Sequence, residues 1–210
     1  MEKENKLVKM RAARQQIILA AAKQVVLENG ISDRNWSEIA ARSEISRQRL
    51  YSYYSNIDEL LSDLYTTILI QLETAVQDLA KDELSPQQSI ARIMNAFEQY
   101  VGKYHDELIF LMMYDAYTTA NKPSLDRFEK LSSIAGFNFF LEPIQRGQAS
   151  GEFRTDYSGQ ELDYIITQMV AAIWFRYVMI STDKKSALLL DKKVTKHLYG
   201  SVFNFLEDKV

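Results

Sequence analysis

Apolar positions recur at helical spacing along almost the whole chain. Ile18, Ala22, Val25 and Val26 follow an i, i+4, i+7, i+8 rhythm, which marks one face of a helix. Gly30 then supplies an end, because glycine enters the left-handed conformation at no steric cost. The spacing predicts a first helix over residues 6–29. A second begins near Asn35, where Asn35 and Glu38 stand at capping-box spacing, and it runs to about Arg42 with Trp36, Ile39 and Ala40 on its buried side. Ser43, Glu44 and Ile45 form a turn. Ser46 suits the cap of a third helix, in which Ile45, Leu50 and Tyr54 face a core and Arg47, Gln48, Arg49 and Ser52 face outward.

The rhythm continues to the end of the chain. Asn56 and Glu59 repeat the capping-box spacing, so a fourth helix is expected from about Ile57, running to Lys81. Ser85-Pro86 opens a fifth, since proline fits the first turn of a helix, with Ile90, Ile93, Met94, Phe97 and Val101 on one face. A sixth covers 105–119. Asn121-Lys122-Pro123 breaks the chain. A seventh is expected over 124–148, bent at Pro143. Two more occupy 159–180 and 185–206. The reading is all-α, about nine helices, with no internal repeat or low-complexity linker.

Composition narrows this picture. A hydrophobic share of 47% is ample for a core, and only seven glycines and three prolines leave little chain for turns. Without cysteine there is no disulfide, thiol nucleophile or thiolate metal site. The opening residues are charged where a secretory signal would be apolar. The longest uncharged run of the C-terminal half, 164–175, is too short to span a bilayer. A cytoplasmic protein without membrane contact is the expectation.

Net charge is −3, yet its distribution is uneven. Residues 1–60 carry ten Lys/Arg against eight Asp/Glu, the remainder fifteen against twenty. The excess sits around the two short helices, whose three-residue turn is the layout of a helix-turn-helix DNA reader. Lys6, Lys9, Arg11 and Arg14 lie on an arm ahead of it. Cations at a helix start oppose the helix dipole, which argues for an anionic partner such as phosphate. In the major groove arginine can grip guanine O6 and N7, and glutamine adenine N6 and N7, with paired bonds. Successive helical residues fan out at about 100° each, so Arg47, Gln48 and Arg49 cannot all face one way. Arg47 and Gln48 are assigned to bases, Arg49 to base or phosphate. The DNA-facing set also takes in Lys9, Arg14, Asn35, Trp36 and Ser46.

Further on, Phe97, Tyr100, Tyr104, Phe110, Met113, Tyr114 and Tyr117 crowd the fifth and sixth helices, and Phe140 and Trp174 can face them. Aromatic rings and methionine make adaptable apolar walls; the same stripe also suits a plain core. Nothing calls for a cofactor or metal. His105-Asp106-Glu107 is no catalytic cluster, because adjacent residues on a helix point in different directions.

The run from Ile18 to Leu61 resembles the N-terminal domain of TetR-family transcriptional regulators. The residues that carry the resemblance are Ala21, Ala22, Gly30, Ile39, Ala40, Ile45, Ser46, Leu50, Tyr51, Tyr53, Tyr54, Leu60 and Leu61, and the segment 144–154, IQRGQASGEFR, resembles a frequent join in the same family. The resemblance implies phosphate contacts by Tyr51 and Tyr53. It implies a four-helix dimer interface from the last two helices, where Ile166, Met169, Val170, Ile173, Val194, Leu198 and Val202 recur at helical spacing. It also raises the standing of the aromatic stripe as a ligand pocket. Three departures stand out: Glu44 where the turn usually has glycine, Gln48-Arg49 where small residues are usual, and Ile57 where a phosphate-contacting lysine is common.

The expected organisation is a helix-turn-helix domain over 1–56 and an effector-binding and dimerisation domain over 57–210. The expected function is a one-component regulator, in the repressing sense, that binds double-stranded DNA at a near-palindromic operator as a homodimer and is released by a small apolar or aromatic effector. The alternative is a helical interaction protein with a vestigial DNA-binding domain that takes a partner protein or lipid-like molecule; Glu44 and Ile57 motivate it.

Overall fold

The computed structural model describes residues 2–79, 84–121, 138–180 and 192–207, and every regular element among them is helical. They are α1 (Glu2–Asn29), a 3-10 turn (Asp33–Asn35), α2 (Trp36–Arg42), α3 (Arg47–Tyr51), α4 (Ile57–Leu79), α5 (Pro86–Lys103), α6 (His105–Asn121), α7 (Leu141–Ser150), α8 (Gly159–Ile180) and α9 (Lys192–Glu207).

The chain divides into two compact units. The first is Met1–Leu69 with Ile109–Leu125, the second Ile70–Leu108 with Asp126–Val210. Within the first unit side chains tie the start of α4 to α6: the Tyr65 hydroxyl donates to Asp115 at 2.9 Å and that of Tyr117 to Asp58 at 3.1 Å.

In the first unit Ile18, Ala22, Val25, Val26, Ile39, Leu50, Leu60 and Leu61 have no exposed surface. The helical rhythm read from the sequence thus becomes one buried face. Gly30 ends α1 at φ 75°, its amide donating back to Val26 at 2.9 Å. The cap of α2 departs from expectation. Asn35 is buried and makes no cap; its Nδ2 donates to the Gly30 carbonyl at 2.6 Å, and Glu38 instead accepts from Asn29 at 2.9 Å. Ending α1 frees carbonyls, and a buried amide side chain is better satisfied by one of them than by a reciprocal box. At α4 half of the expected box forms: Asn56 Oδ1 accepts from the Glu59 amide at 2.8 Å, while Glu59 returns to the Ser55 amide at 2.7 Å.

In the second unit α7 packs against α5 and α8, and α9 against the same two. Ile90, Met94, Phe140, Ile144, Phe153, Leu162, Ile166 and Val202 fill its interior. Ser85 and Gln88 close a full capping box on α5, with Pro86 in the first turn. The helix expected over 124–148 with a bend at Pro143 is corrected. Its early part lies outside the described residues, and a new helix starts at Leu141, so Pro143 sits in a first turn rather than at a kink. A missing amide hydrogen costs nothing there. The amide of Phe140, at the head of this helix, donates at 2.8 Å to the carboxylate of Asp163 on α8. Residues 185–191 of the last expected helix also lie outside the described residues.

Candidate nucleic-acid interface

The site begins with a tight turn. After α2 the amide of Ser43 donates to Ile39, that of Glu44 to Ala41 and that of Ile45 to Ala40, at 2.9, 3.0 and 3.0 Å. The Ser43 hydroxyl, fully buried, donates to the Ile39 carbonyl at 2.6 Å. These bonds hold Glu44 at φ 56°, where a residue with a Cβ is strained. It is the one residue other than glycine with positive φ among those described.

Ser46 then caps α3 as expected, its hydroxyl accepting from the Arg49 amide at 3.1 Å. Leu50 and Tyr54 point inward, at 0% and 3% exposure. The Tyr54 hydroxyl donates to Asp63 at 2.6 Å; burial, reinforced by that carboxylate, pushes its ionisation well above the ordinary tyrosine range. With the inner face anchored, Ser46, Arg47, Gln48 and Arg49 are all exposed. The first unit thus presents two guanidinium groups and an amide at the exposed start of α3.

Around α3 the cations differ in what they do. Arg14 is half-buried and donates to the Ser43 carbonyl at 3.3 Å, bracing the turn. Arg11, absent from the expected DNA-facing set, reaches the far end of α3. Its guanidinium lies 5.2 Å from the centre of the Tyr53 ring and donates to the Ser52 carbonyl at 3.4 Å. Its signal was its place three residues before Arg14 on the basic arm. Lys9 is exposed. Arg42 is engaged by Glu28 at 2.6 Å and by Glu38, which push its ionisation higher still while Glu28 is held below the usual carboxylate range. Its charge is compensated within the chain.

Two of the expected contacts are inside. Asn35 is spent on Gly30, and Trp36 is 4% exposed, packed at 4.8 Å against the ring of Tyr51. Both side chains support the reader from behind. Tyr51 is 53% exposed, so one of its faces stays available. Ile57 is buried at the start of α4, which explains in packing terms why an apolar residue stands there.

The structure places the expected pocket residues in both units. In the second, Phe97 meets Phe139 edge-on at 5.1 Å and stacks on Phe140 at 6.3 Å, and Tyr100 lies 4.6 Å from Tyr104. The Tyr100 hydroxyl is buried with no hydrogen-bond partner, and burial followed by nearby Glu107 raises its ionisation. Trp174 is 5% exposed. In the first unit Phe110 stacks on Tyr114 at 5.9 Å, Met113 is half-buried and Tyr117 is bonded to Asp58. Of the expected dimer residues, Ile166, Val170 and Val202 are buried within the chain itself and Met169 and Ile173 are half-buried. The side chains of Val194 and Leu198 lie outside the described residues. No group of three or more His, Asp or Glu able to hold a metal occurs among the described residues, nor any helix long and apolar enough to cross a membrane.

Known proteins share this arrangement. Residues 18–64 match the family described as bacterial regulatory proteins, tetR family. The chain is 23% identical over 163 residues to the HTH-type transcriptional repressor BepR of Brucella suis, a match covering 76% of this chain and 78% of that protein. Among solved structures, a TetR family transcription regulator from Marinobacter aquaeolei superposes with a TM-score of 0.71 at 14% identity, over 95% of this chain and 98% of that one. The transcriptional regulator FadR of Bacillus subtilis, solved in complex with stearoyl-CoA, superposes with a TM-score of 0.69 at 17% identity, over 91% and 98%.

Proposed function

This chain belongs to the TetR family of DNA-binding transcriptional regulators, and from that premise we propose that it is a cytoplasmic repressor, working as a homodimer and released from its operator by a small, largely apolar effector. The observation that carries the proposal is the exposure of Arg47, Gln48 and Arg49 at the start of α3, held by the Ser46 cap and by the buried Leu50 and Tyr54. Arg47 and Gln48 read base edges. Arg49, Lys9, Tyr51 and Tyr53 contact backbone, and Arg14 sets the turn. One such helix binds weakly, so two copies read half-sites about one helical turn apart. Met169 and Ile173, half-buried on α8, belong to the pairing surface.

The effector belongs among the aromatic side chains of the second unit. Phe97, Tyr100, Phe140 and Trp174 offer apolar walls, and the unpartnered Tyr100 hydroxyl offers one polar handle. A related fold that carries a long acyl chain in FadR of Bacillus subtilis supports an apolar ligand. Such a ligand displaces the protein from DNA only through its difference in affinity between the binding and non-binding states.

The test is fluorescence anisotropy and gel shift on the region upstream of the chain's own gene, with potassium chloride varied. Arg47→Ala and Gln48→Ala are each expected to weaken operator binding by about 1–3 kcal/mol and to relax base preference. Affinity falls steeply with salt. A wild-type protein that gives no specific shift, with both variants indistinguishable from it, sinks the proposal; salt-independent capture of a partner protein then favours the interaction-protein reading.

A further inference from the structure

We propose that Glu44 is an electrostatic brake on DNA affinity, set into the turn of the reader so that operator binding stays weak enough to be reversed. The inference rests on the DNA-binding reading above. Its starting point is a conflict between residue and backbone. Glu44 stands at φ 56°, a conformation that glycine holds at no steric cost and a residue with a Cβ does not. The turn leaves it no alternative, since three successive amides and the buried Ser43 hydroxyl are bonded back into α2 and Arg14 braces the Ser43 carbonyl. The strain is thus imposed by the frame, and strained residues of this kind collect where function holds them.

The side chain gives the strain a purpose. Glu44 is exposed, and its carboxylate has no hydrogen bond or ion pair among the described residues. It is the only acidic residue between Ile39 and Ile57. The nearest acidic neighbours along the chain are occupied: Glu38 by Arg42 and Asn29, Asp58 by the Tyr117 hydroxyl, and Glu59 by Ser55. An unpaired anion therefore stands three residues before Arg47, in the turn that leads into the helix meeting a polyanion. Each phosphate contact by a cation releases counterions and strengthens binding, and a carboxylate carried by the turn into the reader helix subtracts from that sum whatever the base sequence. Operator and random DNA are weakened alike, which lowers the difference in affinity that an effector must supply to clear the operator.

Glu44→Gln removes the charge and keeps the strained backbone; Glu44→Gly removes both. Both are compared with wild type by anisotropy on an operator duplex and on a short duplex of random sequence, from about 50 to 200 mM potassium chloride. Thermal melting is measured in parallel. Both substitutions are expected to tighten both duplexes by roughly three- to tenfold at the lower salt and to steepen the logarithmic salt slope by up to about one. Only Glu44→Gly is expected to raise the melting temperature. Unchanged affinity in Glu44→Gln overturns the brake, as does a gain confined to Glu44→Gly, which would assign the effect to backbone relief. Loss of operator binding in Glu44→Gln with random DNA unaffected overturns it too, because the carboxylate would then be reading a base. Absence of any salt-dependent DNA binding by wild type marks failure of the DNA-binding reading itself, a result distinct from the others.

Discussion

Replacing Gly147 by alanine would place a methyl carbon 2.0 Å from Cδ2, 2.4 Å from Cε2 and 2.7 Å from Cγ of Phe153. Carbon atoms in contact sit about 3.5–4.0 Å apart, so the ring must withdraw by more than an ångström. It has little freedom to do so. Phe153 is 1% exposed, and its amide donates to the Gly147 carbonyl at 3.0 Å beside that of Glu152 at 2.8 Å. Gly151, at φ 76°, turns the chain back to make both bonds. If the ring is expelled, the loss approaches that of Phe→Ala in a core, about 3–5 kcal/mol; if it shifts within its seat, overpacking costs about 1–3 kcal/mol. Gly147→Ala is therefore expected to destabilise the fold by roughly 2–4 kcal/mol, against a helix-propensity gain of under about 1 kcal/mol. Urea denaturation followed by far-ultraviolet circular dichroism measures this. In the Phe153→Ala background the clash is gone, so the same substitution should turn neutral or stabilising. A cost below about 0.5 kcal/mol in the wild-type background, or an equal cost in both backgrounds, refutes the reasoning.

Other consequences follow from the buried charges. Burial pushes the Asp163 carboxyl up to about 6, although the amides of Phe140 and Leu141 pull the other way. A raised carboxyl contributes stability that is complete below its unfolded value of 3.8 and is lost as pH climbs through about 6. Wild type should lose on the order of 3 kcal/mol across that window relative to Asp163→Asn, which keeps an acceptor for Phe140 and cannot ionise; parallel pH profiles of the urea midpoint would contradict this. Asp163→Ala should cost about 1–3 kcal/mol at pH 5, because the buried Phe140 amide loses its partner. Arg154 is 7% exposed, paired with Asp156 at 2.6 Å, bonded to the Phe205 carbonyl and stacked on Tyr157 and Phe205 at 4.7 and 4.8 Å. Arg154→Ala should lower stability by about 2–4 kcal/mol, and Arg154→Lys should recover little of it, since an ammonium cannot form the planar fork; full rescue by lysine would show that charge alone matters.

Much of the reader was legible before any coordinates. The spacing of Ile18, Ala22, Val25 and Val26, the Gly30 ending, the Ser46 cap and the inward Leu50 and Tyr54 are local patterns, and each appears where expected. The strain at Glu44 was legible only through the family resemblance, which puts glycine at that position of the turn. Where expectation failed, a partner distant in sequence had intervened. Asn35 and Glu38 have capping-box spacing, yet the Gly30 carbonyl claims one and Arg42 and Asn29 the other. Trp36 was expected both on the buried side of α2 and among the DNA-facing residues; at 4% exposure against the ring of Tyr51 it takes the buried side.

The second unit shows the same division more sharply. Amino-acid order by itself determined that the chain is helical, where most helices begin, and which apolar face each buries, because caps and 3.6-residue periodicity act over a few neighbouring positions. Tertiary structure alone decided that Asp163 caps the helix at Leu141, so that Pro143 starts an element instead of bending one. It alone decided that Gly147 exists to seat Phe153, and that the aromatic stripe of α5 and α6 is shared between two compact units. Those outcomes depend on which faces meet, and contacts between residues tens of positions apart leave no periodic trace along the chain.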